Sequence, residues 1–481
     1  MNYRYIANLL GKILLIGGAL MLIPTLISVF TLDSALTGFV IAEAALLAFG
    51  GMLSLIKTKG SLYSREGFVI VVLSWVLMSV FGALPFVISG HIPNFFSAFF
   101  EVVSGFTTTG STILSDIEAL PKSLLFWRSF THWIGGMGIL VFMLAVMPKS
   151  SGRMMHVMKA EVPGPKVDKL VARTRVTAQI LYCMYLALSV LEVIFLLCGG
   201  LSFFDALTVS FSTAGTGGFA SYNTSIAAFN SVYVEIVVTV FMFLFAINFN
   251  LYYLAIIGQI GRALKSEELR WFIGIVVCAI AVITVNILSV CGSFAEALRY
   301  SSFQVVSVMS STGFITADFI AWPQLSQTIL LILMFIGACV GSTGGGIKVG
   351  RIMILIKSGV REIRRLLTPN TVLAVRIDKK PVEESVVAGS AGFIVIYSAL
   401  MLVSTLLISI DGFDFTTNFT SVVTCINNIG PTLGNVIGAT GNFSVFSDFS
   451  KVVLSFCMLA GRLNIFPVVM LLSPTTWKKS A

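Results

Sequence analysis

Four times along the chain, an apolar segment too short to cross a membrane runs into a Gly-containing loop and is followed by a long apolar segment. The loops read Thr107-Thr108-Thr109-Gly110-Ser111, Gly215-Thr216-Gly217-Gly218-Phe219, Ser310-Ser311-Thr312-Gly313-Phe314 and Asn427-Asn428-Ile429-Gly430-Pro431. Gly110, Gly218, Gly313 and Gly430 are separated by 108, 95 and 117 residues. Internal repetition on this scale describes an architecture before any single residue does, because each unit needs its copies to bury its apolar face.

The solvent is set by composition. Of 481 residues 57% are hydrophobic and 11% charged, with mean hydropathy +0.96, whereas a water-soluble domain carries about 25% charge. The chain reads as an all-α polytopic membrane protein with ten transmembrane helices. Leu9 to Phe30 and Leu36 to Ile56 come first, each near the roughly 20 residues that a ~30 Å hydrocarbon core requires. Four pairs follow: Gly67 to Ser89 with Leu124 to Met147, Val176 to Cys198 with Val232 to Ile260, Trp271 to Cys291 with Gln327 to Ile356, and Glu384 to Ile410 with Phe449 to Leu472. The first apolar stretch is longer than a secretory signal's usual core of 7 to 15 residues and reads as a retained span. The expected organisation is a two-helix segment over 1–60 and four pseudo-symmetric repeats over 61–150, 151–265, 266–365 and 366–481.

Basic residues orient these spans. With both termini and every linker between pairs on the cytoplasmic side, 26 of the 31 Lys and Arg residues lie there, as the positive-inside rule expects. The exceptions are Lys122, Arg128, Arg299, Lys451 and Arg462. The net charge of +9 thus reports topology and contact with membrane lipids, not nucleic acid. Seven cysteines stand singly, mostly inside apolar spans, with no CxxC pair, which is the pattern of small buried hydrophobes. The three histidines are scattered, and only His132 falls within a span. No nucleophile, base and orienting group stand together, so nothing points to an enzyme.

Between the members of each pair lie about 12 to 18 apolar residues, enough for a helix that dips into the bilayer and returns. In three repeats a Phe stands 15 residues before the loop Gly (Phe95, Phe203, Phe415), with an apolar partner four residues later (Phe99, Leu207, Phe419) on the same helix face. In the third repeat Phe294 stands 19 residues before Gly313, about one helical turn further, so the face is preserved. Re-entrant backbone at membrane depth is tolerated only where protein buries it or water lines it. Four such elements imply a shared central cavity, toward which each short helix aims the partial negative charge of its C-terminus. A Gly permits the positive φ and close approach needed to turn carbonyls toward a cation. A single Thr-Gly or Gly-Gly would mean only close helix packing; four in register read as a filter. The residues assigned to it are Thr108, Thr109, Gly110, Thr216, Gly217, Gly218, Ser311, Thr312, Gly313, Asn428, Ile429 and Gly430.

These loops, with Asn427 to Gly434 the most individual, resemble those of the Trk/Ktr/HKT superfamily of potassium transporters over nearly the whole chain. The resemblance implies a homodimer in the bacterial inner membrane, with one K+ pathway per subunit through the four repeats. It also implies a cytosolic, nucleotide-binding regulatory ring of the TrkA type. The stretch Gly337 to Lys348 includes Gly341, Ser342, Thr343, Gly344, Gly345, Gly346 and Lys348; a helix should break there, since each interior Gly costs about 1 kcal/mol relative to Ala. In the family this segment obstructs the pathway beneath the filter and moves on opening. A phosphate loop needs Gly-Lys-Ser/Thr in succession, whereas Ile347 separates Gly346 from Lys348. Arg462 lies well inside the last span, where an arginine normally faces a cavity or a partner group, and the resemblance makes it a barrier in the pore. Where family members often carry an acid, this chain has Asn464, so Arg462 lacks an acidic partner at that position.

Glu101, Asp205 and Glu296 fall in the short helices and Glu43, Glu192 and Glu235 in or near spans, with helix capping or pairing to a base as the expected roles. The basic linkers Lys149 to Arg175 and Lys348 to Lys380 are the expected contacts of a regulatory ring. Each loop offers carbonyls flanking one Gly, and no copy of the longer Thr-Val-Gly-Tyr-Gly filter occurs, so K+ over Na+ discrimination should be weaker than in tetrameric potassium channels. Two readings compete. One is a sodium-permeable or cation-coupled relative; the other is an inverted-repeat transporter of an organic solute, against which the parallel orientation of all four units speaks.

Overall fold

The computed structural model describes residues 1–58, 64–138, 174–369, 371, 373–439 and 441–477. Two N-terminal helices, Tyr3–Thr31 and Leu36–Ser54, precede four repeats, each a leading helix, a short helix and a trailing helix. The leading helices are Ser64–Ile88, Thr174–Cys198, Glu267–Ile287 and Glu384–Ile408, and the short ones Phe95–Phe106, Phe203–Gly215, Phe294–Met309 and Phe415–Asn427. The third short helix, at 16 residues against 12 or 13, carries the expected extra turn. The one strand pair among the described residues, Arg376–Ile377 with Lys380–Pro381, sits just ahead of the leading helix of the fourth repeat.

Short helices at membrane depth need their first N–H groups satisfied, and all four are capped by a residue visible in the sequence. Asn94, Ser202, Ser293 and Asp414 accept from the backbone N–H of Ser97, Asp205, Glu296 and Thr417. Asp205 completes a reciprocal contact, receiving the Ser202 hydroxyl at 2.7 Å.

The trailing helices do not run through. Six helices among the described residues are long and apolar enough to cross a membrane, or seven if one bent pair is counted as a span, because the second helix of each repeat is interrupted or leaves the described residues. The expected span Val232 to Ile260 is instead Val232–Ala246 and Phe249–Ile256, bent by 91°. Ile247 is extended, and Asn248 caps the new helix by accepting from Asn250 N–H at 2.9 Å. The expected last span ends at Arg462, passes through left-handed Asn464 and Ile465, and resumes as Phe466–Leu472; Arg462 is therefore the last residue of a half-length helix, not the middle of a continuous one. The first trailing helix is Lys122–Gly136, and the rest of its expected span, from residue 139, lies outside the described residues. The third breaks as anticipated, into Gln324–Ile336 and Val349–Leu367 around residues 337–348. The basic linker from Lys149 is likewise outside the described residues up to residue 173. The later one forms the helix Val349–Leu367, where Lys357 pairs with Glu267 and Arg361 reaches Glu384 at 2.6 Å.

The N-terminal pair is joined by close backbone approach. A methyl on Gly11 would lie 2.5 Å from Ser54 N and 2.7 Å from the Gly50 oxygen, whereas Gly51 has open space around it. Gly11→Ala is therefore expected to lower the thermal midpoint of the detergent-solubilised protein by forcing the helices apart, at a cost of about 1–3 kcal/mol. Gly51→Ala should not lower it. Equal midpoints for the two variants would refute this packing.

Candidate functional site

Each short helix ends in the same way. Thr108, Thr216, Ser311 and Asn428 take φ of 54°, 56°, 60° and 55°, and the next residue reaches back five positions: Thr109 to Ser104 O, Gly217 to Ser212 O, Thr312 to Ser307 O and Ile429 to Thr424 O, at 2.8 to 3.1 Å. A second bond runs from each left-handed residue three positions back. This is a Schellman closure, normally built on Gly; here three β-hydroxyl residues and one Asn bear the left-handed strain, about 1–2 kcal/mol each. Two residues further on, Gly110, Gly218, Gly313 and Gly430 again have positive φ, of 80°, 77°, 80° and 101°.

The four loops then close on one another. A side chain on Gly110 would collide with the carbonyl of Gly217, one on Gly218 with that of Thr312, and one on Gly313 with that of Ile429. A methyl on Gly430 would lie 2.9 Å from the Thr109 oxygen, which returns the sequence of contacts to the first repeat. Each Gly thus abuts the carbonyl preceding the Gly of the next repeat, in the cyclic order one, two, three, four. Above this ring lies a vestibule of about 50 Å³, lined by the same four glycines together with Tyr222, Asn223 and Pro431. All twelve residues expected from the sequence are brought together here. Inverted repeats could not place four like helix ends in one ring.

Beneath the ring lies the Gly-rich segment. A methyl on Gly344 would meet Ser310 O at 2.6 Å, one on Gly345 would strike Asn427 O, and the Gly345 N–H donates to the Ser311 hydroxyl. The segment also takes up the groups orphaned by the 91° bend of the second repeat: Cys339 N–H donates to Ala246 O at 3.1 Å, Phe249 N–H to Gly341 O at 3.1 Å and the Thr343 hydroxyl to Phe245 O at 3.2 Å. Lys348, buried at φ 80°, turns its ammonium back onto Gly344 O. Arg462 donates to Thr343 O, Gly135 O and Gly136 O, each at 2.6 Å. It therefore ties the segment to the broken end of the first trailing helix, where carbonyls carry partial negative charge. Asn464 serves a different group, accepting from Arg351 at 2.7 Å.

Three further groups hold the site from outside the loops: Glu268 and His132, given no role from the sequence, and Glu101, for which pairing to a base was one expected role. Glu268, in the first turn of the third leading helix, accepts from Val340 N–H at 2.7 Å and Gly350 N–H at 3.1 Å, holding both arms of the segment. Glu101 pairs with Arg128 at 2.8 Å, both almost wholly buried, and also takes Thr112 Oγ1 and Ile113 N–H. Arg128 continues to Ala220 O at 3.2 Å in the next repeat. His132 lies behind the second loop. The available signal was an ionisable residue inside an apolar span, here Arg128 and His132 one turn apart. Among the described residues no group of three or more His, Cys, Asp and Glu side chains could hold a metal ion.

Known proteins resemble this chain in sequence and in overall fold. A family profile described as "TrkH: Cation transport protein" matches residues 36–479. The chain belongs to the TrkH family of cation transport proteins. It is 37% identical over 490 residues to the Trk system potassium uptake protein TrkH of Escherichia coli (strain K12), with both chains covered in full. It is 31% identical to the Trk system potassium uptake protein TrkI of Halomonas elongata, over 98% of this chain and 97% of that one. The crystal structure of the potassium transporter TrkH from Vibrio parahaemolyticus superposes with a TM-score of 0.89 at 35% identity, covering 99% of this chain and all of the other. Family membership makes this a multi-pass membrane transporter, not an enzyme.

The buried Glu101–Arg128 pair gives a stability test. Arg128→Met leaves a carboxylate buried without its cation and is expected to cost about 3–5 kcal/mol. Adding Glu101→Gln should recover a large part of that loss in thermal unfolding measurements, and strict additivity of the two variants would refute the coupling.

Proposed function

We propose that this chain takes up potassium across the bacterial inner membrane through the ring of four loops. The carrying observation is the closed cycle in which Gly110, Gly218, Gly313 and Gly430 each abut a carbonyl of the next repeat. Carbonyls of Thr109, Gly217, Thr312 and Ile429, together with those of Thr108, Thr216, Ser311 and Asn428, replace part of the ion's hydration shell. The C-terminal ends of four short helices add negative potential. K+ is the cargo, in keeping with the names of the relatives.

The Gly-rich segment from Gly341 to Lys348 is the gate, and Arg462, bonded to Thr343 O, is the barrier beside it. Packing of Gly344 and Gly345 against the underside of the ring supports this reading, since a segment so seated obstructs an ion descending from the loops. The protein acts as a homodimer with both termini cytoplasmic, regulated by a nucleotide-binding ring of the TrkA type seated on the basic linkers.

The test is ⁸⁶Rb+ uptake into liposomes holding the purified protein, with K+ and Na+ as competitors. Gly313→Ser places a side chain where the Ile429 carbonyl stands, so it should reduce K+ preference over Na+. Gly345→Ala drives the segment off Asn427 O and should raise uptake above that of the unaltered protein. A Gly313→Ser variant with unchanged competition would defeat the filter assignment, and lower uptake by folded Gly345→Ala would defeat the gate.

A further inference from the structure

One of the four ring carbonyls is borne by a residue unlike the rest. Thr109, Thr312 and Ile429 are β-branched and therefore stiff, whereas the equivalent residue of the second repeat is Gly217, the most deformable residue available. Gly217, unlike Gly218, does not have a positive φ, so its lack of a side chain is not required by a left-handed backbone. What occupies the vacated space is the imidazole of His132, from the trailing helix of the first repeat. A Cβ built on Gly217 would overlap the Nδ1, Cγ and Cε1 atoms of that ring.

The imidazole is held from three sides. Nδ1 lies 2.8 Å from Gly105 O and Nε2 lies 3.2 Å from the backbone N of Phe219. A carbonyl only accepts and a peptide N–H only donates, so the ring is the neutral tautomer with its proton on Nδ1. Its centroid stands 4.3 Å from that of the Phe219 ring, whose face also receives the Arg128 guanidinium at 4.1 Å. A methyl on Gly215 would clash with the backbone oxygen of His132, so the loop rests on that helix on both sides of Gly217. The other strands are fastened by different means: Ser307 Oγ donates to Phe314 O at 2.7 Å, and Asn428 Nδ2 to Thr109 Oγ1 at 2.9 Å.

The geometry points to His132 as a stand-in for the missing side chain of Gly217, a positioning residue that holds the second repeat's carbonyl level with the other three and so sets ion specificity. This inference rests on the ring being the ion filter. The imidazole touches no ion; it acts through the Gly217 backbone and the Phe219 N–H.

The experiment measures K+ against Na+ competition for ⁸⁶Rb+ uptake by the full chain in liposomes, with calorimetric competition of K+ and Na+ on the same detergent-purified variants as a readout that does not require an open pore. His132→Ala should lower the K+/Na+ ratio about fivefold or more, the scale set by freeing a buried donor. Gly217→Thr alone overlaps the imidazole and should also lower it. The double variant His132→Ala with Gly217→Thr returns a β-branched side chain to the ring position and should recover most of the ratio. A merely structural histidine would give no such rescue. Should His132→Ala fail to fold, His132→Asn keeps a donor for Gly105 O and removes the acceptor for Phe219, and the same direction of change is expected. An unchanged ratio in a folded His132 variant, with Gly313→Ser still altering it, would overturn the inference while leaving the filter reading intact. An unchanged ratio in Gly313→Ser as well would overturn both.

Discussion

Four short helices must stop at the same depth, and everything else in the protein is arranged around how they do so. A helix end inside a membrane leaves carbonyls without partners. Here the Schellman closures on Thr108, Thr216, Ser311 and Asn428 satisfy two of these carbonyls per helix within the chain itself. Extension past the closure then places one carbonyl per repeat against a Gly of its neighbour, at a separation no side chain would allow. The fold class, the parallel orientation of the repeats and the central ring all follow from repeating that one turn four times.

The trailing helices answer the same constraint from below. Each breaks or ends near where it meets the ring, and the unpaired groups are taken up by other repeats. The second is completed by Cys339, Gly341 and Thr343 of the third, and the first ends in carbonyls that receive Arg462 of the fourth. A charge that would be costly alone at membrane depth is met by three backbone dipoles. The Gly-rich segment is thus a shared structural member, bonded to the second repeat, to the third through Ser311 and Glu268, and to the fourth through Arg462.

Much of this was legible because its causes are local. Gly spacing, the added turn of the third short helix and the run of glycines before Lys348 all act on their own neighbourhood in the chain. The 91° bend after Ala246 was not legible, because the bonds that stabilise it come from residues about a hundred positions later. Arg462 was recognisable as exceptional, yet its partners, 119 and 327 residues away, were not. His132 stood out only as a histidine in an apolar span, since its acceptor role toward Phe219 spans 87 residues. Asn464 showed the reverse: a departure from the family pattern that looked like a loss for Arg462 proves to serve Arg351.

Because one chain supplies all four corners of the ring, a change in the gene reaches one corner at a time. A true homotetramer alters its pore in steps of four, so most substitutions at the axis are either harmless or ruinous. Here the four corners already carry three residue types, Thr at 109 and 312, Gly at 217 and Ile at 429, and they are fastened by different side chains. Such a ring can drift by quarter-steps, with the fittings of three corners preserving its shape while the fourth is rebuilt.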